Sequence, residues 1–358
     1  MRPIRVAVVG TGHLGKIHAK LAQGLECFEL VAVVDPVESA RTAVAEQHGV
    51  EHYADISAIL GKVDAAVVAT PTKYHREVAA QLLTADIHVL VEKPITLGVE
   101  DADCLIALAK RTGSVLQVGH VERFNPAFRA AQRHLDGPRY IEATRQSGYT
   151  FRSIDVGVTL DLMIHDIDLV LSMVGSPVVD VQAVGFTLFG PHEDMVQARL
   201  TFANGCVANL TASRASFEPS RQMRIFSDAG FVGIDFADRK LKYIASHEAL
   251  ASGVQKVHRQ AEDEKAKIRQ SLFETVLPLH VAEIPATNAI EDELSEFATC
   301  IRRGGTPTVD GTAGRNALAV ALQVVEQVER HQWQDGDQTL VGPTLASTPD
   351  HLPARRAA

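Results

Sequence analysis

This chain of 358 residues predicts a doubly wound parallel α/β sheet, followed by an α+β domain built on a large, mostly antiparallel sheet. Three observations carry that prediction. Short runs of β-branched and apolar residues alternate with longer helical stretches as far as Val118. A glycine-spaced turn joins the first run to the first helical stretch. Beyond Ile141 the rhythm changes to extended segments separated by reversal signals.

The runs are Ile4 to Val9, Leu30 to Val34, Ala65 to Ala69, Val89 to Val91 and Val115 to Val118. Apolar residues fill each one instead of alternating with polar ones, as strands covered on both faces require. The helical stretches between them are Gly12 to Leu25, Glu38 to His48, Tyr74 to Thr84 and Val99 to Arg111. In the second half, Asn204-Gly205 predicts a two-residue reversal between Gln197 to Phe202 and Cys206 to Thr211, because both residues tolerate positive φ. Asp228-Ala229-Gly230 predicts another, and helices are expected at Leu160 to Val174, Glu293 to Arg302 and Ala313 to Arg330. Ser246 to Thr287 reads as charged and irregular. The expected division is 1–121, 122–331 and a frayed tail, 332–358, rich in Pro, Thr and Asp.

Composition narrows the function classes. A hydrophobic fraction of 46% with 22% charged residues is that of a globular protein. A net charge of -9 disfavours nucleic acid as a main partner. The cysteines Cys27, Cys104, Cys206 and Cys300 lie too far apart for a paired metal motif, and no metal site is expected. No apolar stretch reaches membrane-spanning length, so no membrane partner is expected and a cytoplasmic location is the default expectation.

The segment Gly10-Thr11-Gly12-His13-Leu14-Gly15 is a G-x-G-x-x-G turn between a buried strand and a helix, the dinucleotide-binding pattern of a Rossmann fold. Gly10 permits the tight turn, Gly12 leaves room for a pyrophosphate, and Gly15 allows close packing of helix on strand. Asp35, ending the next strand, is placed to accept hydrogen bonds from a ribose diol, which favours NAD over NADP. Arg41 nearby leaves some NADP use open. Thr70, Pro71 and His75 leave the carboxyl end of the next strand, where open α/β sheets bind ligands, and are expected beside the cofactor. Glu92 and Lys93 end the run Val89 to Val91, which puts an ammonium at that same edge. Asp161 and His165, at i and i+4, are expected on one face of a helix. By itself Lys93 is also readable as a surface lysine or a salt bridge with Glu92, and Asp161 with His165 as a buried histidine tied to its own helix or an incidental metal pair.

Together, the glycine turn, the Ala69-Thr70-Pro71 to His75 segment, Glu92-Lys93-Pro94, and Asp161 with His165 resemble the glucose-fructose oxidoreductase / inositol dehydrogenase family over nearly the whole chain to Arg330. The resemblance implies NAD-dependent transfer of a hydride from a hydroxyl-bearing sugar carbon. It gives Lys93 and His165 the flanking positions at the reacting hydroxyl, either one serving as base, with Asp161 binding or orienting. The stretch Gly119 to Pro126 and the segment Asp161 to Asp168 look most like the branch that oxidises the 3-hydroxyl of UDP-N-acetylglucosamine. Arg123, Asn125, Tyr149 and Arg152 would then supply donors to a sugar or diphosphate. Alternatives are an inositol or free-sugar dehydrogenase, an NAD-dependent glycosidase, and a non-catalytic NAD-sensing regulator. The open face of the second sheet leads to the expectation of a homodimer or homotetramer.

Overall fold

The computed structural model describes residues 2–150, 156–189, 191–228, 230–245, 261–335 and 338–341. In chain order the first elements are β1 (Ile4–Val9), α1 (His13–Gly24), β2 (Phe28–Val34), α2 (Glu38–His48), β3 (Glu51–Tyr53), β4 (Ala65–Val68), α3 (His75–Thr84), β5 (His88–Glu92), α4 (Val99–Thr112), β6 (Leu116–Gly119) and α5 (Pro126–Ala131). There follow β7 (Pro138–Gln146), α6 (Ile164–Val174), β8 (Val178–Phe186), β9 (Met195–Phe202), β10 (Val207–Ser213), β11 (Ser220–Ser227), β12 (Gly230–Asp235) and β13 (Lys240–Ala245). The last are α7 (Glu262–Gln270), β14 (Leu279–Glu283), α8 (Ala289–Arg303), α9 (Gly311–Arg330), β15 (Gln332–Asp335) and β16 (Gln338–Val341).

The chain forms two compact units. The first takes residues 1–133, 239–241 and 283–319, and the second takes the rest. A single cut near residue 121 therefore misses that α8 and the first turns of α9 return to the N-terminal unit.

The first unit is a six-stranded sheet in the order β3-β2-β1-β4-β5-β6, with every pair parallel. Strand order reverses at β1, which is flanked by β2 and β4, and a ligand crevice opens at the carboxyl ends of the strands beside such a point. The four residues Ala65 to Val68 of β4 are all fully buried, which explains their unbroken apolar run. One face of the sheet presents Val6, Val8, Val33, Val67 and Leu90 to Ala19 and Ala22 of α1 and to Leu294, Phe297 and Ala298 of α8. The short edge strand β3, Glu51-His52-Tyr53, carries no apolar run, and sequence reading missed it.

The second unit is an eight-stranded sheet in the order β14-β13-β12-β11-β7-β10-β9-β8. It is mostly antiparallel, but its centre is not, since β7 and β10 run parallel. Burial alternates along β9 and β10, with Val196, Ala198, Leu200, Ala208, Leu210 and Ala212 turned inward. α6 packs against β7 and β10 with Ile167, Val170 and Val174 buried.

Several expectations need correction. The β9-β10 reversal is a three-residue loop, not two, closed by Phe202 N–H donating to the Cys206 carbonyl at 2.9 Å. Only Gly205 takes positive φ, +83°, the geometry of a turn followed by a glycine in the left-handed region. Ser227 pairs with Gly230 across the expected β11-β12 reversal, although Ala229 lies outside the described residues. Within Ser246 to Thr287, residues 261–287 hold α7, a π-helical turn at Leu272–Val276 and β14, so that part is not irregular, and 246–260 lie outside the described residues. Within the expected tail, β15 and β16 pair antiparallel, with Trp333 opposite Leu340.

One residue of the first unit has no obvious packing role. Glu293 of α8 is 1% exposed, and neither carboxyl oxygen meets a hydrogen-bond partner among the described residues. Burial pushes its pKa well above the ordinary 4.5, with the negative charges of Glu92 and Glu296 adding to the effect. A group with a raised folded-state pKa binds a proton that the unfolded chain releases, so its contribution to stability falls as pH rises above 4.5. Glu293→Gln, an uncharged isostere, is therefore expected to raise the melting temperature near pH 8 by about 2–4 °C, the response of a domain this size to ~1 kcal/mol. The gain should shrink toward pH 4.5; thermal melts across that range check this, and parallel pH profiles for the two proteins contradict it.

Candidate active site

Each glycine of the first turn has a separate physical reason. Gly10 has φ of +94°, and a Cβ there would lie 2.6 Å from the Ala69 carbonyl. A Cβ on Gly15 would fall 1.8 Å from the Gly10 carbonyl oxygen, so α1 could not start where it does. Nothing lies within 4 Å of a Cβ position on Gly12, and Gly12, His13 and Leu14 are exposed, which leaves an open approach to the start of α1. Peptide N–H groups at a helix start favour an anionic group, and the turn fits a dinucleotide pyrophosphate.

Asp35 closes this turn from the side. Its Oδ2 accepts from Thr11 N at 2.8 Å and from Thr11 Oγ1 at 2.9 Å, and its Oδ1 accepts from Val37 N at 2.9 Å. The half-buried carboxylate thus holds the glycine turn while keeping lone pairs for a diol. Arg41 lies over the same corner, donating to the carbonyls of Pro36 at 3.1 Å and Asp35 at 3.4 Å.

Thr70, Glu92 and Lys93 lie at the carboxyl ends of β4 and β5, on the same edge as the glycine turn. His75 is 1% exposed and has its ring nitrogens 2.8 Å from the Thr70 carbonyl and 2.9 Å from the Pro94 carbonyl. Burial lowers its pKa despite the opposing pull of those carbonyls, so it is neutral near pH 7 and donates to one of them. Its work is to tie the Thr70-Pro71 loop to the segment following Lys93.

Glu92 is turned into the protein. Its Oε1 lies 2.7 Å from His18 Nε2 on α1, and its Oε2 accepts from Lys93 N at 3.2 Å. Burial alone would raise its pKa, but the hydrogen bond and charge of His18, with the nearby Lys93, outweigh burial and hold it below the ordinary value. A Cβ on Gly119 would come within 2.8 Å of Glu92 Oε2, so the glycine ending β6 makes room for this carboxylate. Sequence reading missed His18, and it named Gly119 within the stretch Gly119 to Pro126 but not as the space for Glu92, which lies far from both along the chain. Lys93 itself is half-buried.

In the second unit the expected i, i+4 geometry does not hold as stated. Thr159–Met163 is a π-helical turn, and α-helix begins only at Ile164, so a 3.6-residue repeat does not run from Asp161 to His165. Both residues are nonetheless half-exposed, whereas Met163, Ile164, Asp166 and Ile167 between and beside them are buried. Asp166 is spent on Arg145, with Nη2 to Oδ1 at 2.8 Å and both side chains buried. Among the described residues, no group of three His, Cys, Asp or Glu side chains is placed to hold a metal ion.

The expected substrate residues fare differently. Asn125 caps α5, accepting from Ala127 N at 3.0 Å while its amide nitrogen donates to Glu122 Oε2 at 3.0 Å, which accounts for its side chain without a ligand. Tyr149 packs edge-on to Phe189, ring centroids 4.8 Å apart, with the Arg214 guanidinium 5.7 Å from its ring centre. Arg123 is half-buried, and Arg152 lies outside the described residues.

Residues 4–120 match the oxidoreductase family with an NAD-binding Rossmann fold, and residues 119–232 match the GFO/IDH/MocA C-terminal domain. UDP-N-acetylglucosamine 3-dehydrogenase from Acidithiobacillus ferrooxidans is 36% identical over 327 residues, covering 91% of this chain and 97% of that protein. The chain belongs to the GFO/IDH/MocA oxidoreductase family. A solved structure of that Acidithiobacillus enzyme superposes with a TM-score of 0.80 at 35% identity, covering 92% of this chain and 99% of its own. A scyllo-inositol 2-dehydrogenase (NAD(+)) from Bacillus subtilis is 31% identical over 60% of this chain and 68% of its own length. Sequence reading had reached the family and its cofactor, NAD, through the glycine turn, Asp35 and Glu92-Lys93-Pro94.

Because Asp35 holds Thr11 and keeps lone pairs at the glycine turn, Asp35→Ala is expected to weaken NAD binding at least about tenfold, ~1.4 kcal/mol, and to narrow the preference over NADP. Fluorescence titration with NADH and NADPH measures both. Unchanged affinity for NADH contradicts the assignment.

Proposed function

We propose that this family member oxidises the 3-hydroxyl of UDP-N-acetylglucosamine, or of a closely related nucleotide sugar, with NAD as hydride acceptor. The observation that carries the reading is the match to UDP-N-acetylglucosamine 3-dehydrogenase over 97% of that protein's length, both units included. Its support is chemical as well. The first unit offers an open glycine turn, a ribose acceptor at Asp35 and the Lys93 side chain on one sheet edge.

NAD, when bound, supplies the acceptor for the hydride leaving the sugar carbon. Lys93 or His165 takes the hydroxyl proton as that hydride departs, and Asp161 binds or orients the hydroxyl. Proton transfer of this kind contributes about a hundred- to ten-thousand-fold to rate. Glu92, anchored by His18, fixes the backbone at Lys93. Tyr149, Arg123 and Arg152 serve the rest of the substrate in this reading, while Asn125 serves its own helix.

An inositol dehydrogenase is the second reading, favoured by the 31% match to the Bacillus subtilis scyllo-inositol enzyme. We further propose a cytoplasmic homodimer or homotetramer joined through the solvent face of the eight-stranded sheet. A monomeric mass by light scattering at micromolar concentration contradicts that assembly.

NADH formation with UDP-N-acetylglucosamine, myo-inositol, scyllo-inositol and N-acetylglucosamine separates the readings, and turnover is expected with the nucleotide sugar. Lys93→Ala and His165→Ala should each lower kcat at least about a hundredfold, the lower end of what proton transfer contributes. Tight NAD binding without turnover of any sugar would favour a sensor.

A further inference from the structure

Two consecutive acidic residues before β9 clamp the turn that carries Asp161. Glu193 is 4% exposed and Asp194 fully buried. The Glu193 backbone carbonyl accepts from Val158 N at 2.9 Å, and its Oε1 accepts from Thr159 N at 3.1 Å. These are N–H groups at the start of a helical segment, which lack intrahelical partners. The carboxylate lies flat on Gly157, where a Cβ would fall 2.1 Å from both Glu193 oxygens.

Asp194 works on the other flank. Its Oδ1 accepts from Arg214 Nε at 2.6 Å, and Arg214 Nη1 donates to the Val156 carbonyl at 2.9 Å. Its Oδ2 accepts from Leu188 N and Phe189 N at 2.6 and 2.9 Å. Residues Val156 to Thr159, which lead into the π-helical turn, are thus gripped from both sides by Glu193 and the Asp194-Arg214 pair. Burying such charges costs free energy, so the arrangement earns attention as a device for geometry more than for stability.

We propose that Glu193 is a positioning residue: its side-chain oxygen on Thr159 N sets the start of the π-helical turn and thereby the placement of Asp161 and His165. The proposal rests on the reading that Asp161 and His165 serve the reacting hydroxyl. Glu193 touches no reacting atom in it. Its effect is on the chemical step and on sugar binding, while the NAD site, built in the first unit, is left alone.

The test uses the full chain with NAD and the nucleotide sugar. Glu193→Ala is expected to lower kcat ten- to hundredfold per folded molecule, with KM for NAD unchanged. Glu193→Gln keeps an acceptor oxygen and should recover kcat to within about threefold, because the hydrogen bond and not the charge is required. Gly157→Ala should be as harmful as Glu193→Ala alone, yet add little in the Glu193→Ala background, where its methyl meets no carboxylate. A kcat for Glu193→Ala near that of the unmodified enzyme overturns the proposal, as does a Glu193→Gln enzyme as slow as Glu193→Ala, or a loss explained wholly by a smaller folded fraction. Asp161→Ala and His165→Ala are measured beside them. If those two retain full hydride transfer, the reading of the turn fails and the proposal with it; if they are crippled while Glu193→Ala is not, the positioning proposal alone falls.

Discussion

The buried carboxylate of Glu92 is the constraint on which the first unit's chemistry depends. It is bound to His18 on the helix that starts at the glycine turn and to the backbone of Lys93 at the end of β5. One charged group thus links the element expected to meet the pyrophosphate with the element that carries the candidate base. Its desolvation cost is offset by His18 and Lys93, and Gly119 provides the space it occupies. Removing His18 would leave a buried acceptor unmet, at a cost of about 1–3 kcal/mol or more for a charged group. Burial pushes the pKa of Glu293 well up, and the nearby charge of Glu92 adds to the effect.

The second unit solves a similar problem in another way. Its candidate proton-transfer residues sit where a π-helical turn passes into α6, and the N–H groups at the start of that helical segment lack intrahelical partners. Glu193 and Asp194, just before β9, and Arg214, just after β10, supply partners around that start from buried positions. In both units buried charge is spent on holding backbone in place next to half-exposed candidate site residues.

Much of this was legible in the sequence where the signal is local. Strands covered on both faces show as apolar runs, so β1 was placed to the residue, as α2 was from its helical stretch, and the spacing from Gly10 to Asp35 exposed the cofactor turn. What stayed hidden is non-local or lacks contrast. β3 has three half-polar residues and no run, and the hairpin of β15 and β16 is written in polar residues that read as a tail. The π-helical turn has a helical pattern of side chains, and only the hydrogen-bond register distinguishes it. His18, Glu193 and Arg214, which partner Glu92, Thr159 and Asp194, lie 20 or more residues from them along the chain, and an acidic residue in a polar stretch gives no hint that it is buried.

The central claim is that a hydride leaves C3 of the sugar for the nicotinamide. Incubating the enzyme with NAD and UDP-N-acetylglucosamine carrying deuterium at C3, then analysing the reduced cofactor by mass spectrometry, tests it most directly. The account expects one deuterium in each NADH formed, with slower turnover than for unlabelled sugar where hydride transfer limits the rate. NADH formed without deuterium, or no NADH formed at all, would contradict it.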